Sequence, residues 1–525
     1  MMPSDPGTLV ADNETAWARR SLTVQDLVLA AFRRYPHRPC IVWEGGAATY
    51  SETAQRVGRM AMWLQSNIER TEHVGVALPN SREYLEAILA LALAGRAYVA
   101  ISPHDPVDAQ LHKLRHADVK ALFVEADAWE PLEKETEGIA PIHVGSAKRR
   151  PSYDSIVGRG SYHETKLTRP RPEEVFALGF SGGTSGLPKG VEKNHPQHIA
   201  LMRNLLEDVF LPSEQTTFVA ATPLTHAAFA FVIPTLLRGG SLSWLSRFDA
   251  GRIVDNSWLP NRPRIQTFLV PTALGDVADA ASPSHSVDTI VYGGALCPEA
   301  TLVKAVDRLG LCLTQVYGQA EVPMTICWLP KAEHADPAAI VGAVGYPFTF
   351  VDVQIHAPAP QTGVGEIVVR ADHVMTGYWR NAEATAATID PEGFLHTQDV
   401  GYFDDQGRVR VVGRLREMII TGGMNVFPDE VQRRLGPIPG VDQIVVFGVP
   451  DERWGEAVVA AVRLVDGAST GDALAAIESA ARARLTRYER PKRVVLVNDI
   501  PLTSLGKVSR PALASAFTAD SGATK

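Results

Sequence analysis

Cysteine is scarce in this sequence: Cys40, Cys297, Cys312 and Cys327 are all it has in 525 residues. No two form a C-x-x-C pair and no histidine ladder stands nearby, which argues against a disulfide framework and a structural zinc site. Neutral thiols packed in the core are the expectation, and any metal is expected to arrive with a substrate. Long hydrophobic runs are lacking too. The longest apolar helix-like stretch, Ala87 to Gly95, is bracketed by Glu86 and Arg96 and falls far short of the ~20 residues a membrane span needs. Positive charge is not in excess; the formal balance is −8, which removes any general attraction to nucleic acid or anionic lipid. Met1 to Thr15 is largely polar and acidic, so no signal segment is expected and the cytoplasm is the expected location.

What is present reads as a globular chain longer than one ordinary core, so two or three domains are expected. The N-terminal part alternates helix and strand signals. Thr23 with Asp26 resembles a capping box, and Val24, Leu27, Val28, Ala31, Phe32 and Tyr35 fall on one helical face. Ser51 is expected to cap a second helix carrying Ala54, Val57, Ala61 and Leu64. Short strand-like runs follow at Val74 to Leu78, Tyr98 to Ile101 and Ala121 to Val124. Such alternation predicts an α/β fold of largely parallel, helix-covered sheets. Residues 145–173, rich in Lys, Arg, Pro, Gly and Ser, read as a surface connection. Tyr402 to Val412 reads as a hairpin turning at Asp404-Asp405-Gln406-Gly407. Beyond Gly413 a compact α+β pattern begins, with strands at Gln443 to Val449, Ala457 to Val465 and Arg493 to Val497 and a helix at Asp472 to Leu485. The expected division is a domain over 1–413 and a smaller one over 414–525.

The most informative segment is Ser181-Gly182-Gly183-Thr184-Ser185-Gly186-Leu187-Pro188-Lys189-Gly190. It follows a strand-like run, Val175 to Phe180, and precedes an amphipathic pattern, Ile199, Met202, Leu205, Leu206 and Val209. Glycines let backbone N–H groups converge on an anion, while hydroxyls and a lysine complete a cradle for phosphate oxygens. The Walker P-loop needs four residues between its first glycine and Gly-Lys-Ser/Thr. Here Gly182 and Gly186 enclose three, and Gly190 follows the lysine, so that reading fails.

Four further elements carry chemistry. Thr289-Ile290-Val291-Tyr292-Gly293-Gly294-Ala295 runs a strand into a glycine turn where backbone can approach a flat ring. Gln315-Val316-Tyr317-Gly318-Gln319-Ala320-Glu321 offers an aromatic for stacking and a carboxylate for Mg²⁺. His396-Thr397-Gln398-Asp399-Val400-Gly401, with Gly413-Arg414-Leu415-Arg416, offers an acid able to accept two ribose hydroxyls and a nearby arginine. Pro501-Leu502-Thr503-Ser504-Leu505-Gly506-Lys507 places a lysine on a glycine-bearing loop. In this order and spacing, together with Gly377-Tyr378-Trp379 and the run Gly422 to Glu430, these elements resemble the adenylate-forming (ANL) superfamily: acyl-CoA synthetases, aryl-acid ligases, luciferases and peptide-synthetase adenylation domains. The resemblance spans essentially the whole chain.

That resemblance implies a large N-terminal domain with a small mobile C-terminal lid hinged near Arg416, and a use of ATP, Mg²⁺ and CoA or a carrier protein's phosphopantetheine. It implies that Ser181, Gly182, Gly183, Thr184, Ser185, Gly186 and Lys189 hold the β- and γ-phosphates. Gly294, Ala295, Tyr317 and Gly318 to Ala320 would border the nucleotide, with Asp399 and Arg414 on the ribose. Glu321 would hold Mg²⁺, and Lys507 would reach the α-phosphate and the reacting carboxylate. The hydroxyl usual before the glutamate is Ala320 here. His226 matches the gate beside the carboxylate, and Ala228, Phe229, Val232, Tyr292, Gly293 and Val316 match the acid pocket, with Tyr292, Phe229 and Phe231 available to stack on a ring. The segment Thr222 to Pro234 contains no Asp or Glu to pair with an ammonium, which disfavours amino acids. Val316 shortens the tunnel, so a compact aromatic or short-to-medium-chain acid is expected. Loading of an acyl or aryl carrier protein, adenylation of nitrite for diazotisation, and a catalytically silent adenylate sensor are the alternatives. A homodimer is possible in this superfamily, and secondary metabolism is the expected setting.

The superfamily's chemistry brings two anions together, and Lys507 is expected to offset their repulsion. Lys507→Ala should lower pyrophosphate release by ~10²–10³ while equilibrium ATP binding persists; near-native release would remove the assignment.

Overall fold

The computed structural model describes residues 22–145, 151–158, 160–181, 188–501 and 508–522. Gly182, Gly183, Thr184, Ser185, Gly186 and Lys507 lie outside them. The first described helix, Val24–Arg34, starts where the sequence places it: the Thr23 N–H and hydroxyl both donate to Asp26 Oδ2, at 2.8 and 2.9 Å. The next helix, Tyr50–Asn67, is capped by Thr49 and not by Ser51. Thr49 and Glu52 close a reciprocal capping box two residues earlier, leaving Ser51 inside the first turn.

Two large sheets carry the N-terminal part. The first follows the order Gly377–Tyr378, Gly190–Asn194, Val175–Phe180, Ala97–Ala100, His73–Ala77, Val119–Glu125, Ala140–Val144. Its last five strands are parallel, and the first two add on antiparallel. Helix Arg82–Ala94 is apolar on nearly every side and is buried from Tyr84 to Ala94. Its one inward acid, Glu86, accepts Arg56 Nε at 2.8 Å, Arg82 Nε at 2.7 Å and the Tyr153 hydroxyl at 2.5 Å. A buried carboxylate keeps its charge only with such partners.

The second sheet is a thirteen-strand path. Strands Pro39–Trp43, Ser241–Trp244, Thr216–Ala220, Arg264–Leu269, Val287–Gly293 and Leu313–Gln319 run parallel in that spatial order. From Val322–Leu329 onward the path is antiparallel, through Ala343–Pro347, Val409–Arg414, Leu395–Phe403, Gly365–Ala371 and Val351–His356. The helix-covered parallel layers expected from the sequence are present, and an antiparallel extension carries the hairpin predicted around Asp404–Gly407.

Sheet membership changes abruptly after Arg414. Leu415–Glu417 forms a single 3₁₀ turn, and Ile419–Thr421 already belongs to a separate five-stranded sheet with Met424–Val426, Gly455–Leu464, Val441–Asp451 and Arg493–Leu496. Arg416 sits exposed in that turn. Helix Thr470–Arg484 covers one side of the small sheet, as the sequence pattern predicts. Among the described residues no helix is long and apolar enough to cross a membrane.

All four cysteines are free and buried. Burial pushes the Cys40 and Cys297 thiols up to about 12 and Cys312 to about 11, and raises Cys327 as well. A raised thiol stays protonated, and the thiolate is the reactive form. At pH 8 the folded protein should therefore leave all four thiols unmodified by a disulfide reagent over minutes, with four appearing on denaturation; rapid reaction of the native protein would contradict this.

Candidate active site

The phosphate-loop hairpin is anchored by its strands. Val175–Phe180 pairs antiparallel with Gly190–Asn194, and Ser181 N–H donates to the Lys189 carbonyl at 3.0 Å, closing the base. The short strand Gly377–Tyr378 adds to the far side of Gly190–Asn194, with Tyr378 opposite Val191. Lys189 Nζ lies 4.8 Å from the Tyr378 ring centroid, a cation–π distance.

Tyr378 then reaches across to the other large sheet. Its hydroxyl donates to Glu321 Oε1 at 2.8 Å, and Met375 N–H donates to the Glu321 carbonyl at 2.8 Å. Burial and the adjacent Glu321 charge push the Tyr378 hydroxyl above its ordinary range, so it remains a donor. Glu321 is 7% exposed, and its second carboxylate oxygen has no hydrogen-bond partner among the described residues. That oxygen fits a hard cation whose other ligands come from phosphate and water. Among the described residues no cluster of three acidic, His or Cys ligands exists.

A second node lies on the antiparallel extension. Asp399 is opposite Arg414 in the ladder and accepts Arg414 Nε on Oδ1 at 3.0 Å and the Tyr317 hydroxyl on Oδ2 at 2.7 Å. Burial, then Asp399, hold the Tyr317 proton well above its ordinary range. The residue before Asp399, Gln398, adopts φ +62°, uncommon for a side chain of this kind. Glu366 accepts its N–H at 3.0 Å and its Nε2 at 3.1 Å. Sequence reasoning missed Glu366 and gave Tyr378 no role. A left-handed residue before a buried acid leaves no sequence signal.

The glycines of the nucleotide segments have specific reasons. A Cβ on Gly293 would lie 2.4 Å from the Val316 carbonyl oxygen, and one on Gly318 2.3 Å from Met324 N. Gly318 and Gln319 end strand Leu313–Gln319 in irregular register, and Ala320 with Glu321 makes the turn into Val322–Leu329. Gly294 has φ +87°, and it and Ala295 are exposed at the end of Val287–Gly293.

The acid-pocket predictions divide. His226 is exposed, its Nδ1 2.8 Å from Thr225 Oγ1, and it opens the 3₁₀ turn Ala227–Phe231. Phe229 stacks on Tyr98 with centroids 4.9 Å apart and planes 18° from parallel, and lies 6.2 Å from Phe176. Ala228, Val232 and Val316 are buried in the same apolar cluster. Tyr292 is a correction: it is fully buried in the other cluster, its hydroxyl 3.0 Å from Gln315 Oε1 and 2.9 Å from His334 Nε2. Neighbouring strand residues face opposite sides, and Val291 holds the side shared with Phe229. Phe231 is likewise core, packed between Phe218 and Phe268.

Two family models match the chain: AMP-binding enzyme over residues 29–379 and AMP-binding enzyme C-terminal domain over residues 430–507. The chain belongs to the AMP-binding enzyme family. It is thus an adenylate-forming enzyme of the ANL superfamily and an AMP-forming acid–thiol ligase by class. It is 30% identical over 523 residues to a medium/long-chain-fatty-acid–CoA ligase of Mycobacterium tuberculosis, covering 94% of this chain and 90% of that protein. It is 32% identical over 488 residues to a feruloyl-CoA synthase of Amycolatopsis sp, covering 91% and 95%. The amide bond synthetase McbA of Marinactinospora thermotolerans superposes with a TM-score of 0.83 at 27% identity, covering 94% and 99%.

Asp399→Asn removes the charge that Arg414 and Tyr317 both meet. Charge-assisted hydrogen bonds are worth about 1.5–3 kcal/mol, so the KM for ATP should rise at least about tenfold in ATP–pyrophosphate exchange, with the acid KM little changed. An unchanged ATP KM would remove Asp399 from the nucleotide site.

Proposed function

We propose that the enzyme adenylates a compact carboxylic acid, aromatic or of short-to-medium chain, and passes the acyl group to the thiol of CoA. The acid's carboxylate attacks the α-phosphorus of ATP, the α–β bridging bond breaks, and pyrophosphate leaves. The thiol then attacks the acyl carbon and AMP leaves. Asp399 with Arg414 would fix the ribose, and the 181–190 segment would hold the departing phosphates. Glu321 would hold Mg²⁺, which when bound offsets phosphate charge. The aromatic wall of Phe229, Tyr98 and Phe176, with buried Val316, supports a compact acid.

The observation that favours CoA over a carrier protein is a cationic aromatic patch on the small domain. At Gly422, φ is +57°, and a Cβ there would lie 3.0 Å from the Trp454 ring and 3.5 Å from Tyr488. Trp454 is flanked by Arg453 at 5.3 Å and Lys492 at 5.1 Å. Burial, then Arg487 and Arg490, pull the Lys492 amine below its ordinary range. Lys492 Nζ donates to the Arg487, Tyr488 and Arg490 carbonyls at 2.8, 3.3 and 3.1 Å, so Arg453 is the cation of this pair left to meet a phosphate. A purine stacks on an indole and a phosphate pairs with a guanidinium; CoA brings both, whereas a carrier-borne pantetheine arm brings only its single phosphodiester. For that step the small domain would turn about Arg416, exchanging the Lys507 face for the Gly422-Gly423 face.

A pyrophosphate-release screen over a panel of carboxylic acids, with CoA, a phosphopantetheinyl carrier protein, an amine or nitrite supplied in turn, tests the proposal. Acid-dependent release and a CoA thioester product are expected. Product formed only with the carrier, only with an amine, or only from nitrite would replace CoA, or the acid, in this reading.

A further inference from the structure

Five polar side chains from four elements, Lys193, His198, Asn204, Thr325 and His373, gather between the two large sheets; the adenylation reading gives none of them a role, although Lys193 lies within reach of the Glu321 charge. Lys193 follows Val191 by two positions, so both project from one face of their strand. Val191 is fully buried opposite Tyr378, and Lys193 lies opposite Ala177, itself in register with Tyr98. The helix that follows, His195–Asn204, packs against both the 3₁₀ turn Ala227–Phe231 and strand Val322–Leu329. It therefore inserts His198 and Asn204 between the aromatic wall and the strand that leaves Glu321.

His198 is 2% exposed, its ring 4.6 Å from Phe176 and 5.1 Å from Phe229. Asn204 is 1% exposed; its Nδ2 donates to Thr325 Oγ1 at 3.2 Å and lies 3.4 Å from His373 Nδ1, while His373 Nε2 is 2.9 Å from Thr325 Oγ1. Burial, then the Lys193 charge, push both His198 and His373 down to about 3, so both imidazoles are neutral. Of these groups, Asn204 Oδ1 is buried without a hydrogen-bond partner. Lys193, half-buried, and His198 make no hydrogen bond among the described residues, and the charge that Lys193 faces is that of Glu321. A cluster built only to hold the fold closes on itself, because buried polar groups are almost always paired. This one presents an ammonium, an imidazole and an amide oxygen beside the wall of the acid pocket.

We propose that Lys193, His198 and Asn204 form the far end of the acid pocket and select a carboxylic acid bearing a second oxygen group, a carboxylate or a phenolic hydroxyl, remote from the reacting carboxylate. The proposal rests on the adenylation reading for the identity of the near end. Lys193 and His198 donate to the distant oxygen, and Asn204 Oδ1 accepts from it where it carries a proton. An apolar acid of the same length leaves all three unpaired, and sites of this kind reject the analogue that lacks the polar group.

Matched acids provide the test: benzoate, 4-methylbenzoate, 4-hydroxybenzoate and terephthalate, and hexanoate against adipate. Pyrophosphate release by the native enzyme should favour the oxygen-bearing member of at least one series by about tenfold or more in kcat/KM. Lys193→Met should abolish the preference for the second carboxylate and Asn204→Leu that for the hydroxyl, whereas Lys193→Arg should keep the former. The KM for ATP should hold in all three variants. A preference for the apolar member, a ratio that survives both substitutions, or a loss confined to the ATP KM would overturn the proposal. Should the native enzyme turn over none of these acids, calorimetric binding of terephthalate against benzoate to the native protein and Lys193→Met reads the same preference without catalysis. Equal binding then defeats the far-end site, and preferential binding keeps it while the adenylation reading alone falls.

Discussion

The hydrogen bond from Tyr378 to Glu321 joins the two large sheets at the place where the chemistry is expected. Tyr378 belongs to the sheet that carries the phosphate hairpin, and Glu321 to the sheet that carries the nucleotide segments. A carboxylate taken out of water needs donors to remain charged. Here one donor, the Tyr378 hydroxyl, comes from the opposing sheet, while Met375 N–H, from the loop before that strand, ties down the Glu321 backbone carbonyl. Because Lys189 lies over the same tyrosine ring, the hairpin base and the Glu321 carboxylate form one mechanical unit. The two-residue strand Gly377–Tyr378 brings that ring into position.

Asp399 is positioned by different means. Its partner Arg414 is its direct neighbour in an antiparallel ladder, so backbone register, and not a loop, sets the ion pair. Gln398 carries the cost of the turn that orients the acid, in a left-handed conformation tied down by Glu366. Backbone of this kind persists where its surroundings over-determine it.

Much of this was legible in the sequence because the legible parts depend on local chemistry. Thr23 with Asp26 announces a helix start, the Val175 to Phe180 run announces a strand, and Asp404 to Gly407 announces a turn. The site acids were legible only as members of ordered motifs: nothing local distinguishes Glu321 or Asp399 from a surface acid, since what buries them is a distant strand. Ser51 was misread because Thr49 offers the same hydroxyl with a glutamate three residues on. Tyr292 was misread because a glycine turn suggested proximity to the ligand, while strand alternation sends the ring to the other side. Lys193 and His198 escaped notice for a related reason. A charged residue next to Glu192 and Asn194 reads as solvated, and only the pairing of its strand on both sides turns it inward.

The same geometry bears on how one chain can run two half-reactions. Asp399 and Arg414 end the large sheet, and the small sheet begins at Ile419, so only a single 3₁₀ turn separates the Asp399–Arg414 ion pair from the small sheet. Arg510 binds that turn through Glu417 at 2.5 Å, pairs with Asp429 on helix Pro428–Leu435, and donates through Nε to the Val446 carbonyl at 3.0 Å. The segment three residues beyond Lys507 is therefore fastened to the body that also carries Gly422 and Trp454. A rotation within 415–418 would move both faces together, withdrawing one as it presents the other. It would leave the ladder between Asp399 and Arg414 intact, because that ladder lies wholly on the stationary side. On the proposed reading, in which that pair holds the ribose, the nucleotide would stay bound through both steps because of where the sheet ends.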